Sequence, residues 1–212
     1  MKYIYFDTGF GFSPTMALGA LIDMFKEEGY INSILRPFAS AVYTENVRRG
    51  CFEGCLAHID LGDKSRTAFE GCTDSAIRAK AERFAVLSPE SDLREILEAV
   101  CVGMLIESFG IDGVYYGKIP DESEFEFAGE ALSDNCPAAK ITPSGYALLK
   151  LLGANTGVCE KGEISLVGYG ADSIDANPDG ILRSVMYEEN QSGLFAGGRA
   201  FEALFTEETA IL

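Results

Sequence analysis

Residues 3–23 read Tyr-Ile-Tyr-Phe-Asp-Thr-Gly-Phe-Gly-Phe-Ser-Pro-Thr-Met-Ala-Leu-Gly-Ala-Leu-Ile-Asp. Tyr3 to Phe6 is an aromatic and β-branched run long enough for a strand in a sheet core. Asp7 closes it, and Thr8 to Phe12 forms a loop carrying Gly9 and Gly11. Ser13 stands where an N-cap belongs, with Pro14 at the first helical position. From Met16 onward Leu18, Leu21, Ile22 and Phe25 recur at helical spacing, and Gly29 is the expected stop. The stretch is strand, glycine loop, helix. Such a junction aims backbone N–H groups and the positive end of a helix dipole at one spot, which suits an anion. Glycines in a strand-to-helix turn serve tight packing equally well, so the geometry leaves both readings open.

The 212 residues can bury a substantial core. Seventeen basic against thirty-three acidic side chains give a net charge of −16, which argues against nucleic acid and anionic membrane as partners. No apolar run approaches the ~18 residues of a membrane span, and Met1-Lys2 leads straight into the first strand without a signal-peptide pattern. The expected location is cytoplasmic. The six cysteines (Cys51, Cys55, Cys72, Cys101, Cys136, Cys159) form no C-x-x-C and read as reduced, mostly buried thiols.

The segment FDTGFGFSPTMALGALID (6–23) is similar to the FDCFSGISGDMxLGALxD opening of the LarC family, the nickel-insertion proteins of the lactate racemase cofactor pathway. Further blocks follow in order. VRRGCFEGCLAHID (47–60) resembles the family's VxRxGIxGTKVDV strand pair, and the strand Ile111 to Tyr116 its LGxDxVYCSPLPLG. TPSGYALLKLL (142–152) resembles TPTGAALLKAL, and VGYGAD (167–172) with ILRSV (181–185) resembles VGYGAGxxDxxxxPNxLRVxLG. The resemblance implies a nickel-insertion enzyme that uses CTP to metallate a pyridinium-3,5-bisthiocarboxylate mononucleotide. In that family a separate C-terminal domain carries the nucleotide and nickel chemistry, and the chain is expected to lack it. Thr15 stands at the aspartate of the family's GDM. The family's HExGxxDSIxDIVG motif falls on Ser88 and Pro89 in place of His-Glu, and on Arg94 and Glu98 in place of its two aspartates. The histidine-rich run that follows the strand pair is replaced by Leu61-Gly-Asp-Lys-Ser-Arg66. Asp7, Gly11, Ser13, Met16, Thr142, Gly145, Gly168 and Tyr169 remain comparable.

Elsewhere, Tyr30 to Leu35 and Ala39 to Tyr43 are expected as strands split by Arg36-Pro37, with Gly50 and Gly54 as bends in the strand pair that follows. Thr67 to Phe84 reads as a surface helix, and Leu93 to Phe109 as a long buried helix ending at Gly110. Phe125 to Ala128 alternates as a half-buried strand inside the acidic stretch 121–130. The turn GYGA (168–171) is expected between two strands. Cys55, the only histidine His58, and Asp60 offer mixed metal ligands, but alternation in a strand turns Cys55 away from the other two, so no metal site is assigned.

The expected fold is α+β, a mixed sheet with helices near 14–28, 67–84, 91–109 and 142–152 mainly on one face; an α/β layer sandwich is the alternative. Residues 1–188 form the expected LarC-like domain and 189–212 an extension. Asp7, Gly11, Ser13, Thr142, Ser144, Gly145, Gly168 and Tyr169 are the candidate ligand-binding residues. No catalytic residue is named, and nickel and CTP enter only through the resemblance. Two functional readings stand: a LarC-like protein working with a separate chain for the missing domain, and a diverged non-catalytic module holding a small anionic or nucleotide-like ligand. Two helix starts, at Ser13 and Thr142, converging in one cleft would give that ligand its place.

Overall fold

The computed structural model describes residues 1–38, 40–49, 52–61, 72–117, 141–157, 162–173 and 180–189. Its strands are β1 (Lys2–Asp7), β2 (Ala41–Arg49), β3 (Phe52–Asp60), β4 (Gly113–Tyr116), β5 (Asn155–Thr156), β6 (Glu163–Ala171) and β7 (Ile181–Glu188). The helices are α1 (Pro14–Phe25), α2 (Glu28–Leu35), α3 (Ser75–Leu87), α4 (Leu93–Ser108) and α5 (Pro143–Leu151). One sheet takes all seven strands in the order β2-β3-β6-β7-β1-β4-β5. The pairs β2/β3, β6/β7 and β7/β1 are antiparallel, whereas β3/β6, β1/β4 and β4/β5 are parallel. This is the expected mixed α+β sheet.

Alternation along β1 sorts the two faces. Ile4 and Phe6 are fully buried in the main core with residues from all five helices, while Tyr3 and Tyr5 turn to the other face beside Val185, Tyr187 and Tyr115. The helices therefore cover one face of the sheet. Within that layer α1 lies against β3, β6 and β7, and α4 packs over α1.

The contact of α1 with the sheet is backbone against backbone. A Cβ on Gly170 would lie 1.9 Å from the Met16 carbonyl oxygen, and one on Gly168 would lie 2.2 Å from that of Ala20. Gly19 answers from the helix, where a Cβ would meet the Cys55 carbonyl oxygen at 2.1 Å. Two residues of strand rise about 6.6 Å and four residues of helix about 6 Å, so glycines two apart on β6 meet helix positions four apart. The GYGA segment is thus the end of β6 and not a turn between strands. Its glycines are needed because the helix leaves no room for a side chain.

Other expectations are corrected. α1 stops at Lys26, which takes the left-handed conformation at φ 58°, and Gly29 lies inside α2. Tyr30 to Leu35 is helix rather than strand. Ile31, Ile34 and Leu35 are its buried residues, spaced three and four apart, and that period outweighs the β-branched composition. Arg36–Phe38 forms a 3₁₀ turn into β2. α3 begins at Asp74, whose carboxylate accepts from the N–H groups of Ala76 and Ile77. Ile77, Ala81 and Phe84 are its buried residues. The expected strand at 125–128, the acidic stretch 121–130 and the extension after Glu189 lie outside the described residues.

Gly170→Ala is expected to cost about 3 kcal/mol, because its methyl group meets rigid helix backbone instead of a movable side chain. Gly29→Ala, with open space around its Cβ and a helical position, is expected to stabilise by about 0.5 kcal/mol. Urea unfolding midpoints of the two variants against wild type check both signs.

Candidate functional site

Three helices begin at one place. At the start of α1 the Ser13 Oγ accepts from Met16 N at 3.2 Å, and its hydroxyl donates to Asp172 Oδ2 at 2.6 Å. At the start of α5 the Thr142 Oγ1 accepts from Gly145 N at 2.9 Å. The two starts lie side by side through the backbone. Phe12 and Ile141 form a parallel bridge, and Thr142 N donates to the Phe12 carbonyl at 3.0 Å. Gly145 is required there, since a Cβ would meet the Phe12 carbonyl oxygen at 2.4 Å.

α4 joins this pair through side chains. Ser144 donates to Glu95 Oε1 at 2.7 Å, and Thr15 donates to Glu98 Oε2 at 2.9 Å. Because the Ser144 proton goes to Glu95, the 3.0 Å contact between Thr142 Oγ1 and Ser144 Oγ has Thr142 as donor. Glu95 also closes the capping box of α4, accepting from Asp92 N at 3.2 Å while its own N–H bonds Asp92 Oδ1 at 2.9 Å. Ser13, Ser144, Glu98 and Asp172 are all buried.

Glu98 is the exceptional member. It is 1% exposed, and its Oε1 has no hydrogen-bond partner. Burial pushes its carboxyl up to about 8. The Thr15 hydrogen bond and Arg94 oppose this, while the charges of Asp172 and Glu95 add to it. The carboxyl is therefore a neutral acid at pH 7, able to donate as well as accept.

The candidate ligand residues fall into two groups. Ser13, Thr142, Ser144 and Gly145 belong to the junction. Gly11, at φ 117°, leads the chain out of the 3₁₀ turn Thr8–Phe10 into it. Asp7 engages other partners: it takes a 2.8 Å ion pair from Arg183 and a 3.4 Å bond from Gly9 N. Gly168 and Tyr169 serve the far half of α1. Gly168 lies under Ala20, and Tyr169 N donates to Asp23 Oδ2 at 2.8 Å, ten residues or about 15 Å along the helix from Ser13. Tyr169 also lines a cleft of about 590 Å³ with Asp23, Lys26, Arg48, Phe52 and Glu53, where β3 and β6 pair only through Cys55 and Gly170.

Cys55 and His58 point to opposite faces. Cys55 is buried under the helices, its thiol pushed up to about 11 by burial and by Asp23 and Glu28, against Lys26. His58 stacks on Tyr43 at 4.7 Å between centroids. Among the described residues no group of three His, Cys, Asp or Glu has the geometry to hold a metal ion.

Glu95, Glu98 and Asp172 were not on the list of candidates. Two signals point to them in retrospect: the Asp92-x-x-Glu95 spacing of a capping box, and a lone acid at Glu98 inside the apolar run Ile96 to Val102. Asp172 has no such signal, because only the packing of α1 along β6 brings it to Ser13.

Set against known proteins, the chain is 25% identical to a protein of Syntrophobacter fumaroxidans (strain DSM 10017 / MPOB) named "Putative nickel insertion protein", over 242 aligned positions. The alignment covers 92% of this chain and 62% of that protein. The chain thus spans less than two thirds of its relative's length while nearly all of it is matched. No family model matches the chain, and no solved structure does. No helix among the described residues is long and apolar enough to cross a membrane.

The raised carboxyl of Glu98 sets a pH dependence. Between its ordinary 4.5 and about 8 the folded protein keeps a proton that the unfolded chain releases, so stability falls as pH rises through that window and levels off above it. The full cost is roughly 3–5 kcal/mol. Glu98→Gln is expected to match wild type near pH 5, to exceed it at pH 8, and to flatten the profile between. Urea midpoints across that range measure it, and parallel wild-type and variant profiles would contradict it.

Proposed function

We propose that this chain serves nickel-pincer cofactor biosynthesis as a LarC-like protein, holding the organic substrate, a pyridinium-3,5-bisthiocarboxylate mononucleotide, while nickel is inserted. The observation that carries the proposal is the convergence of the α1, α4 and α5 starts on one buried polar cluster, in a chain similar to a protein named for nickel insertion. Helix starts favour anionic groups by roughly 0.3–1 kcal/mol each when exposed and more when partly buried. A mononucleotide carries such groups as phosphate and carboxylate oxygens. Ser13, Thr142, Ser144 and Gly145 are the proposed contacts, with Gly11 shaping the approach.

In this reading residues 1–188 orient the substrate, and the family's C-terminal domain supplies CTP and the metal chemistry. Nickel is then cargo that passes through. The ligand inventory supports this division, with one histidine in the whole sequence and Cys55 turned away from it. The alternative, a non-catalytic module with a small anionic or nucleotide-like ligand, uses the same junction. It is favoured by the loss of acid at Thr15 and of the His-Glu pair at Ser88 and Pro89.

Titration calorimetry with the mononucleotide tests the site. Binding is expected, and Ser144→Ala is expected to weaken it about tenfold by untying the charge-assisted bond to Glu95 that sets the start of α5 against α4. Metal analysis after extensive dialysis is expected to find far less than one nickel per chain. Near-stoichiometric nickel that disappears in His58→Ala would overturn the division of labour. Nickel transfer to the substrate only after the C-terminal-domain chain is added separates the first reading from the alternative.

A further inference from the structure

We infer that the buried, unpartnered carboxyl oxygen of Glu98 and the first turn of α1 together recognise a singly charged oxyanion group, a carboxylate or a phosphodiester, of the ligand held at the joined helix starts. The inference rests on the ligand site proposed above and names the group that enters it.

The argument is a count of donors and acceptors. Asp172 Oδ2 takes the Ser13 hydroxyl and Oδ1 takes Ser173 N at 2.8 Å. Glu95 Oε1 takes Ser144, and Oε2 takes Asp92 N. Glu98 Oε2 takes Thr15. The hydroxyls of Ser13, Thr15 and Ser144 are thus spent on carboxylates and that of Thr142 on Ser144, and Glu98 Oε1 is the oxygen left over, buried and without a partner. A buried polar atom left unpaired has lost its water without gaining a partner, so the site favours an occupant that completes it. With Thr15 donating to Oε2, the acid proton resides on Oε1, and the missing partner is an acceptor.

The neighbours narrow the class. From α1, Thr15 faces Glu98; from its own helix, Arg94, Glu95 and Cys101; after β6, Asp172. Asp172 and Glu95 repel any anion, and a dianion meets twice the repulsion of a monoanion at the same distance. Against the two charges of Asp172 and Glu95, Arg94 supplies one unit and the three helix starts about half a unit each, which leaves roughly half a unit of positive charge. A monoanion is therefore accommodated where a dianion is not. A cation needs Glu98 ionised in burial, and the described carboxylates are not arranged to ligate one.

The experiment uses the full chain and three probes at constant ionic strength: acetate and dimethyl phosphate, each singly charged, and sulfate, doubly charged. None titrates from about pH 6 to about pH 9.5, so any pH dependence of binding belongs to the protein. Backbone-amide NMR titrations are expected to show acetate and dimethyl phosphate binding more tightly than sulfate. Wild-type affinity is expected to fall about tenfold per pH unit once Glu98 ionises. Glu98→Gln, which keeps a donor and does not titrate, is expected to bind with a flat profile, and Glu98→Ala to bind at least tenfold more weakly at pH 6. Binding that is level or rising with pH in wild type, sulfate binding as tightly as acetate, or no binding of either monoanion overturns the inference without need of any variant. The mononucleotide titration with Ser144→Ala then tells whether the site itself survives: mononucleotide binding that Ser144→Ala weakens leaves the site standing, and its absence removes both.

Discussion

Everything at the junction depends on how closely α1 approaches the sheet. Helix–sheet contacts usually leave a layer of side chains between the two backbones, about 10 Å from axis to sheet. Here Gly19, Gly168 and Gly170 remove that layer along one side of α1. The helix is fixed in height and in register along β6, turn for step. That registration delivers Ser13 to Asp172, one step beyond Gly170, and it leaves the outer face of α1 to be covered by α4. A side chain at any of the three glycines would lift the helix and pull Ser13, Thr15 and their carboxylate partners apart.

The polar cluster answers a packing problem as well as offering a site. Three helix starts bring orphan N–H groups together in a buried region, and each such group requires an acceptor. Ser13, Asp92 and Thr142 supply one apiece, and Glu95 and Ser144 tie the caps to each other. Glu98 exceeds that need. Its first oxygen makes a useful bond across the α1–α4 contact, while its second makes none. A group that costs stability and caps nothing is a mark of use over architecture.

Two polar residues far apart in sequence are neighbours in space. Thr15 and Glu98 lie 83 residues apart, and the two side chains are hydrogen-bonded. The pair is one hydroxyl and one acid. The pair carries no charge when Glu98 is protonated. Set against this, the opposite face of the sheet is stable ground: Tyr3 and Tyr115 meet edge to face at 6.0 Å, and Asp7 is held by Arg183.

Much of the local structure was legible from residue order alone. Ser13-Pro14 and Thr142-Pro143 mark helix starts because a hydroxyl cap and a fixed φ act within three residues. The buried strip of α4 and the period-two strand β1 are equally local signals. Tyr30 to Leu35 misled because its composition is that of a strand and its short length hides its helical period. GYGA misled because glycine serves both as a turn residue and as space for a neighbour, and only the neighbour distinguishes the two. Of the candidate site, the caps and Gly145 were determined by sequence, as properties of the first turn of a helix. Glu98 and Asp172 joined it only in the folded chain, because their roles lie in contacts 83 and 159 residues away, set by where a glycine-bared strand lets a helix rest.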